Sequence, residues 1–116
     1  MSEHDDRLPL LQMRDHAREA VALVASRQRS DVERDRLLQL ALERLAEIVG
    51  EAANRVSTAS QARFPDIPWR EAIGMRNRVS HGYDAVSHDT LWDTVLTDFP
   101  KLIDSVESAL RVLEDS

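Results

Sequence analysis

The chain has no cysteine. Disulfides and thiolate zinc sites are therefore excluded, and the absence fits a reducing compartment. Aromatic residues make up only 4% of the sequence, so the core is expected to be aliphatic. Three glycines and four prolines in 116 residues leave long stretches without a breaker, and helix formers fill them. No apolar run approaches the roughly 20 residues needed to span a membrane. The amino-terminal "MSEHDDRLPLLQMRDH" sets charges on both sides of a very short apolar run, which is neither a signal peptide nor a transit peptide. A soluble, cytoplasmic protein is expected. Positive charge is also short: 15 Lys and Arg stand against 21 Asp and Glu, for a net charge of −6, which argues against a general nucleic-acid binder.

What is present belongs to a small globular protein, with 42% hydrophobic and 31% charged residues. A single domain over residues 1–116 is expected from the length. The charge is unevenly spread. Residues 1–49 hold 8 basic and 10 acidic side chains, residues 50–83 hold 5 and 3, and residues 84–116 hold 2 and 8. The middle segment is the one with a positive balance, and all of its basic residues are arginines. It predicts a small basic cleft on an acidic body.

Apolar periodicity predicts an all-α protein, an up-down bundle of four to five helices. Leu10, Met13, Ala17, Val21 and Val24 recur at steps of three or four in a first helix, Asp6 to Ser26. Ser30 and Glu33 stand at capping-box spacing before a long second helix, Asp31 to about Val56. Its stripe is Leu38, Leu42, Leu45, Val49, Ala52 and Val56, widened by Leu37, Ala41, Ile48 and Ala53. Gly50 inside this helix costs roughly 1 kcal/mol relative to alanine, so it is read as the mark of a tight helix crossing. "STASQARFPDIP" reads as a loop. A third helix is expected from Pro68 to about His81, ended by Gly82. Ser87 is placed to cap a fourth helix reaching Asp98, and Pro100 either kinks the chain or starts a fifth, Lys101 to Leu113.

The chemistry-bearing stretch is "GMRNRVSHGYDAV", residues 74–86. Its Arg-x-x-x-x-His spacing carries little by itself. The 14 arginines and 4 histidines would give about half such a pair by chance, and cations at a helix end also offset the helix dipole. On a regular helix Asn77 and His81 share a face, as do Arg76 and Ser80. Arg76 and His81 lie about 140° apart at 100° per residue. Both can reach one phosphate only if the helix ends near Gly82 or a second copy of the chain completes the site. Arginine suits a phosphate because it stays charged and donates two parallel hydrogen bonds. Histidine titrates near neutrality and serves as general base or acid. Asn77, one turn earlier, can fix the imidazole or a phosphate oxygen. Such a set suits attack by an RNA 2′-OH on its neighbouring phosphate, a reaction that needs no metal.

A rival reading takes His81, Asp84, His88 and Asp89 as metal ligands at helical spacing. The intervening "GYDAVS" reads as loop, which removes most of its force, and no metal or cofactor is expected. His4 and His16 are read as surface residues, and Trp69 and Trp92 as core or interface anchors.

The sequence resembles the HepT-like toxins of the HEPN superfamily, ribonuclease partners of minimal nucleotidyltransferase antitoxins. The resemblance rests on "ALERLAEIVGEAANRVS", on "FPDIPWREAIGMRNRVSHGYDAV" and on the "LWDTV…FPKLIDSV" that follows, from about Leu40 to the C-terminus. It implies a HEPN-like homodimer and a metal-independent endoribonuclease of a type VII toxin–antitoxin system. The family's R-x-x-x-x-H-x-Y pattern falls on Arg76, His81 and Tyr83. His81 would then be the acid/base, Arg76 the phosphate clamp and Asn77 a positioning group, with Arg78 and Ser80 as candidate phosphate or RNA contacts. Tyr83 would be the residue adenylylated by the cognate antitoxin. The alternative is a non-catalytic helical subunit that presents substrate or nucleotide to a nucleotidyltransferase.

Overall fold

The structure, a computed structural model, describes residues 5–80 and 87–115, and for residues 76–80 it describes the backbone alone. The described residues form helices α1 (Arg7–Val24), α2 (Arg29–Arg34), α3 (Arg36–Arg55), α4 (Thr58–Arg63), α5 (Trp69–Ser80), α6 (His88–Asp93) and α7 (Phe99–Glu114), with a π-helical turn over Thr94–Asp98 joining the last two. Four long helices carry the bundle, as the periodicity predicts. α1 packs against α3 and α7, and α3 packs against α5. The three short helices occupy the corners.

α1 buries Leu10, Met13, Ala17 and Val24 of the predicted stripe together with Ala20, while Val21 of that stripe is half-buried. Pro9 sits in its first turn, where a missing N–H is not needed. The predicted stripe of α3 is buried from Leu38 through Val56, and Gly50 is buried within it. Leu37 departs from the reading: it is 78% exposed. It lies in the first turn of α3, about 100° around the helix from that stripe.

The expected second helix is two helices. Asp35 adopts extended backbone (φ −107°, ψ 99°) and its carboxylate accepts from Leu38 N–H at 3.1 Å, capping α3. The short acid competes with helical hydrogen bonding and forces the break. Its carboxyl is held below the usual range by the Leu38 amide first and by the Arg27 guanidinium second. The C-terminal carbonyls of α2 would otherwise go unpaired, and the buried Gln39 reaches back to them, with Nε2 donating to Val32 O at 2.5 Å and to Glu33 O at 3.3 Å. The capping at the start of α2 falls two residues before the expected pair, where Gln28 N–H donates to Asp31 Oδ2 at 2.7 Å.

The predicted loop holds α4, whose hydroxyl and amide side chains hide its helical character. Ser57 caps it by accepting from Ser60 N–H at 3.2 Å. The buried Asp6 then ties this corner to α1. Its carboxylate accepts from Ser57 N–H at 2.9 Å, from Ser57 Oγ–H at 2.6 Å and from Ser60 Oγ–H. Replacing Asp6 with alanine leaves three donors short of a partner and is expected to cost about 2–4 kcal/mol. Urea denaturation measures this, and a loss under about 0.5 kcal/mol would mean that water replaces the carboxylate.

Pro100 lies in the first turn of α7, as expected of a proline that starts a fifth helix, which here opens at Phe99. α6, capped by Ser87 through a 3.3 Å bond from Thr90 N–H, runs into the π turn, where Phe99 N–H bonds to Thr94 O five residues back. Proline in a regular helix removes an N–H and clashes with the carbonyl four residues earlier. One wide turn relieves both, and Phe99 enters the core with no exposed surface. The expected fourth helix is α6 with the π turn, and the expected fifth is α7. Trp69 and Trp92 are half-buried against the core, and Trp69 Nε1–H donates to Phe64 O at 3.0 Å. His16 is half-buried as well, with Nδ1–H donating to Gln12 O at 2.8 Å.

Candidate functional site

The motif is built on α5. Proline at 68 precedes the first helical residue, Glu71 lies in the first turn, and Ala72 and Met75 bury against α3. That apolar pair fixes the helix's rotation. The backbone of Arg76, Asn77, Arg78 and Ser80 continues the helix to its end, so these positions share one rigid element seated on α3. By register Arg76 and Ser80 are one turn apart on one flank. Asn77 lies by register roughly 170° from the mean direction of Ala72 and Met75 and about 40° from Ile73, which is half-buried against the core. His81, Gly82, Tyr83 and Asp84 lie outside the described residues, as does His4.

Where the chain is next described, it is held by polar contacts. Arg29 of α2 pairs with Asp89 in the first turn of α6 and also with Glu33 at 2.9 Å. The Arg29 guanidinium is raised above its ordinary pKa, by the Asp89 hydrogen bond first and the Glu33 one second. Sequence reading misses this residue because its partner is 60 positions away. The only local signal is the Arg29–Glu33 spacing of four. Of the four residues of the rival metal reading, His81 and Asp84 lie outside the described residues, and Asp89 pairs with Arg29. Among the described residues no group of three or more His, Asp or Glu side chains is placed to hold a metal ion.

Among the described residues, the concavities at Phe64, at Ser60 and at Leu110 are lined by none of the motif residues. A cleft of about 310 Å³ between the α4–α5 connection and α7 is lined by Phe64, Asp66, Asp104 and Ser105, among others. Arg63 lies over the Phe64 ring at its edge, 5.3 Å from the centroid. No helix among the described residues is long and apolar enough to cross a membrane.

Comparison with known proteins bears on what this motif helix does. The family model described as "Ribonuclease HepT-like" matches residues 13–109. A Methanocaldococcus jannaschii protein named as a candidate RNase is 28% identical over 107 residues, covering 92% of this chain and 98% of that one. A protein of Caldanaerobacter subterraneus subsp. tengcongensis, also named as a candidate RNase, is 32% identical over 81 residues, 70% of this chain and 72% of that one. The Thermococcus cleftensis protein named "Probable ribonuclease HepT" is 40% identical over 68 residues, 59% of this chain and 62% of that one. No solved structure matches. The matched span runs from α1 to α7 and takes in the whole motif, and the chain belongs to the HepT-like ribonuclease family.

Proposed function

With that membership as premise, we propose that the protein is the ribonuclease toxin of a type VII toxin–antitoxin pair, cutting RNA without a metal ion. His81 takes the proton of a ribose 2′-OH. The oxygen forms a bond to the adjacent phosphorus, the bond from phosphorus to the 5′ oxygen breaks, and the leaving oxygen receives a proton. The products are a 2′,3′-cyclic phosphate and a 5′-OH. Arg76 clamps the phosphate and the charge that grows on it, where a planar two-pronged donor is worth more than a point charge. Asn77 orients the imidazole or a phosphate oxygen, and Arg78 and Ser80 supply further phosphate or RNA contacts. A homodimer with two motifs facing one cleft resolves the 140° mismatch between Arg76 and His81.

The observation that carries this reading is the family match over residues 13–109, within which Arg76, His81 and Tyr83 fall on the R-x-x-x-x-H-x-Y pattern. The test is incubation with total RNA in EDTA. Cleavage leaving 2′,3′-cyclic phosphate ends is expected, and RNA that stays intact would favour the binding-subunit alternative.

The partner in this reading is a minimal nucleotidyltransferase antitoxin in the same cytoplasm, which transfers AMP to Tyr83. The phenolic oxygen attacks the α-phosphate of ATP and pyrophosphate leaves. The added negative charge and bulk two residues from His81 block RNA by repulsion and by size. Mass spectrometry of the co-expressed protein is expected to find the Tyr83 peptide heavier by AMP. An unmodified peptide from a neutralised toxin would mean that binding alone suffices.

A further inference from the structure

Arg70 stands in the first turn of α5, exposed, and among the described residues it has no ion-pair or hydrogen-bond partner. Arg7, Arg14, Arg18, Arg27, Arg29 and Arg44 each hold a carboxylate, whereas Arg63 lies over the Phe64 ring and Arg111 donates to Ser108. Four residues on is Gly74. A Cβ added there meets nothing within 4 Å, so close packing does not call for a glycine. Glycine within a helix is unfavourable relative to other residues, and here no neighbouring atom compensates. Three residues further is Asn77.

These three positions fall within about 60° of one another around α5, and the stripe runs roughly 10 Å from Arg70 to Asn77. Ala72 and Met75, which bury against α3, lie on the opposite side. The helix therefore carries a guanidinium unpaired among the described residues, a half-buried notch without a side chain and a motif position in line, with the half-buried Ile73 on the flank beside Asn77. The chain bears a net charge of −6, and Arg70 belongs to the one segment with a positive balance.

We propose that Arg70 and Gly74 form a substrate subsite: the guanidinium holds an RNA phosphate one or two nucleotides from the bond that breaks, and the notch at 74 lets the single strand lie against α5 between Arg70 and Asn77. The inference rests on the ribonuclease reading of the same helix. An acidic protein repels RNA at long range, so it needs local, unpaired cations to hold one. Arginine is suited to that contact by its two-pronged geometry.

Two measurements test it on the full chain: steady-state cleavage of a fluorogenic single-stranded RNA, and binding of its uncleavable 2′-O-methyl form. Arg70→Gln is expected to raise KM and Kd about tenfold with kcat within about twofold. The slope of log K against log salt should lose about 0.7, one phosphate contact on a single strand. Gly74→Gln should weaken RNA to a similar extent while raising Tm by roughly 2–4 °C, since glutamine is the better helix former. A glycine needed for the fold would lower Tm instead. Lys101→Gln removes the same charge from α7 and should change Kd less than about twofold, well short of the one-phosphate effect.

Unchanged KM and Kd in both α5 variants would overturn the subsite, as would an equal loss in Lys101→Gln. A Gly74→Gln protein that turns from dimer to monomer would overturn it too, because a second copy then fills the notch. If the wild type binds the 2′-O-methyl RNA through Arg70 yet cleaves nothing, the ribonuclease reading fails and the subsite stands. If the wild type cleaves and the variants match it, the reverse holds.

Discussion

Replacing His81 with alanine is expected to lower RNA cleavage by about 10²–10⁴-fold, the usual contribution of a positioned general acid–base group. Two steps need a proton moved: the 2′-OH must lose one and the 5′ oxygen must gain one. Alanine can do neither. The fold should survive, because the core among the described residues is drawn chiefly from α1, α3, α5 and α7. Circular dichroism and the urea midpoint should therefore match the wild type while cleavage and growth inhibition disappear. Arg76→Lys separates charge from geometry at the same site. It keeps the positive charge and loses the two-pronged donor, so cleavage should fall less than in Arg76→Ala but well below wild type. Undiminished cleavage by His81→Ala would remove the histidine from the mechanism.

The long helices were legible because apolar steps of three and four are a direct consequence of 3.6 residues per turn. Leu10 to Val24 and Leu38 to Val56 bury as that periodicity predicts. The errors lie where a single residue overrides the local pattern. Asp35 breaks the expected second helix just ahead of its apolar stripe by capping α3, and nothing in the periodicity of "VERDRLLQL" marks the break. At Pro100 a helix does start, but periodicity gives no sign of the π turn that precedes it. The candidate site was legible in a different way. Helical geometry alone separates Arg76 from His81, so the spacing by itself argues against a shared phosphate. Only the family-wide match makes that spacing meaningful. Contacts such as Arg29 with Asp89 depend on how α2 meets α6, and no pattern along the chain encodes them.

Phe99→Ala should have the largest effect on stability. The ring is fully buried at the junction of the π turn and α7, beside Val95, which is buried as well. Truncation removes the transfer free energy of the ring and leaves a cavity, together about 3–5 kcal/mol. For a domain of this size total stability is on the order of 5–15 kcal/mol, so the variant sits near the edge of folding. Phe99→Leu keeps most of the volume and should lose under about 1.5 kcal/mol if the core repacks. The loss reaches the candidate site through packing. α7 supports α1, α1 supports α3, and α3 seats the motif helix α5. Cleavage by Phe99→Ala should accordingly fall in proportion to the folded fraction and recover when the temperature is lowered, without the loss in kcat per folded molecule that His81→Ala shows. Urea denaturation should give a lower midpoint with an unchanged slope. A reduced slope would instead mean that the wide turn and α7 open separately from the rest of the bundle.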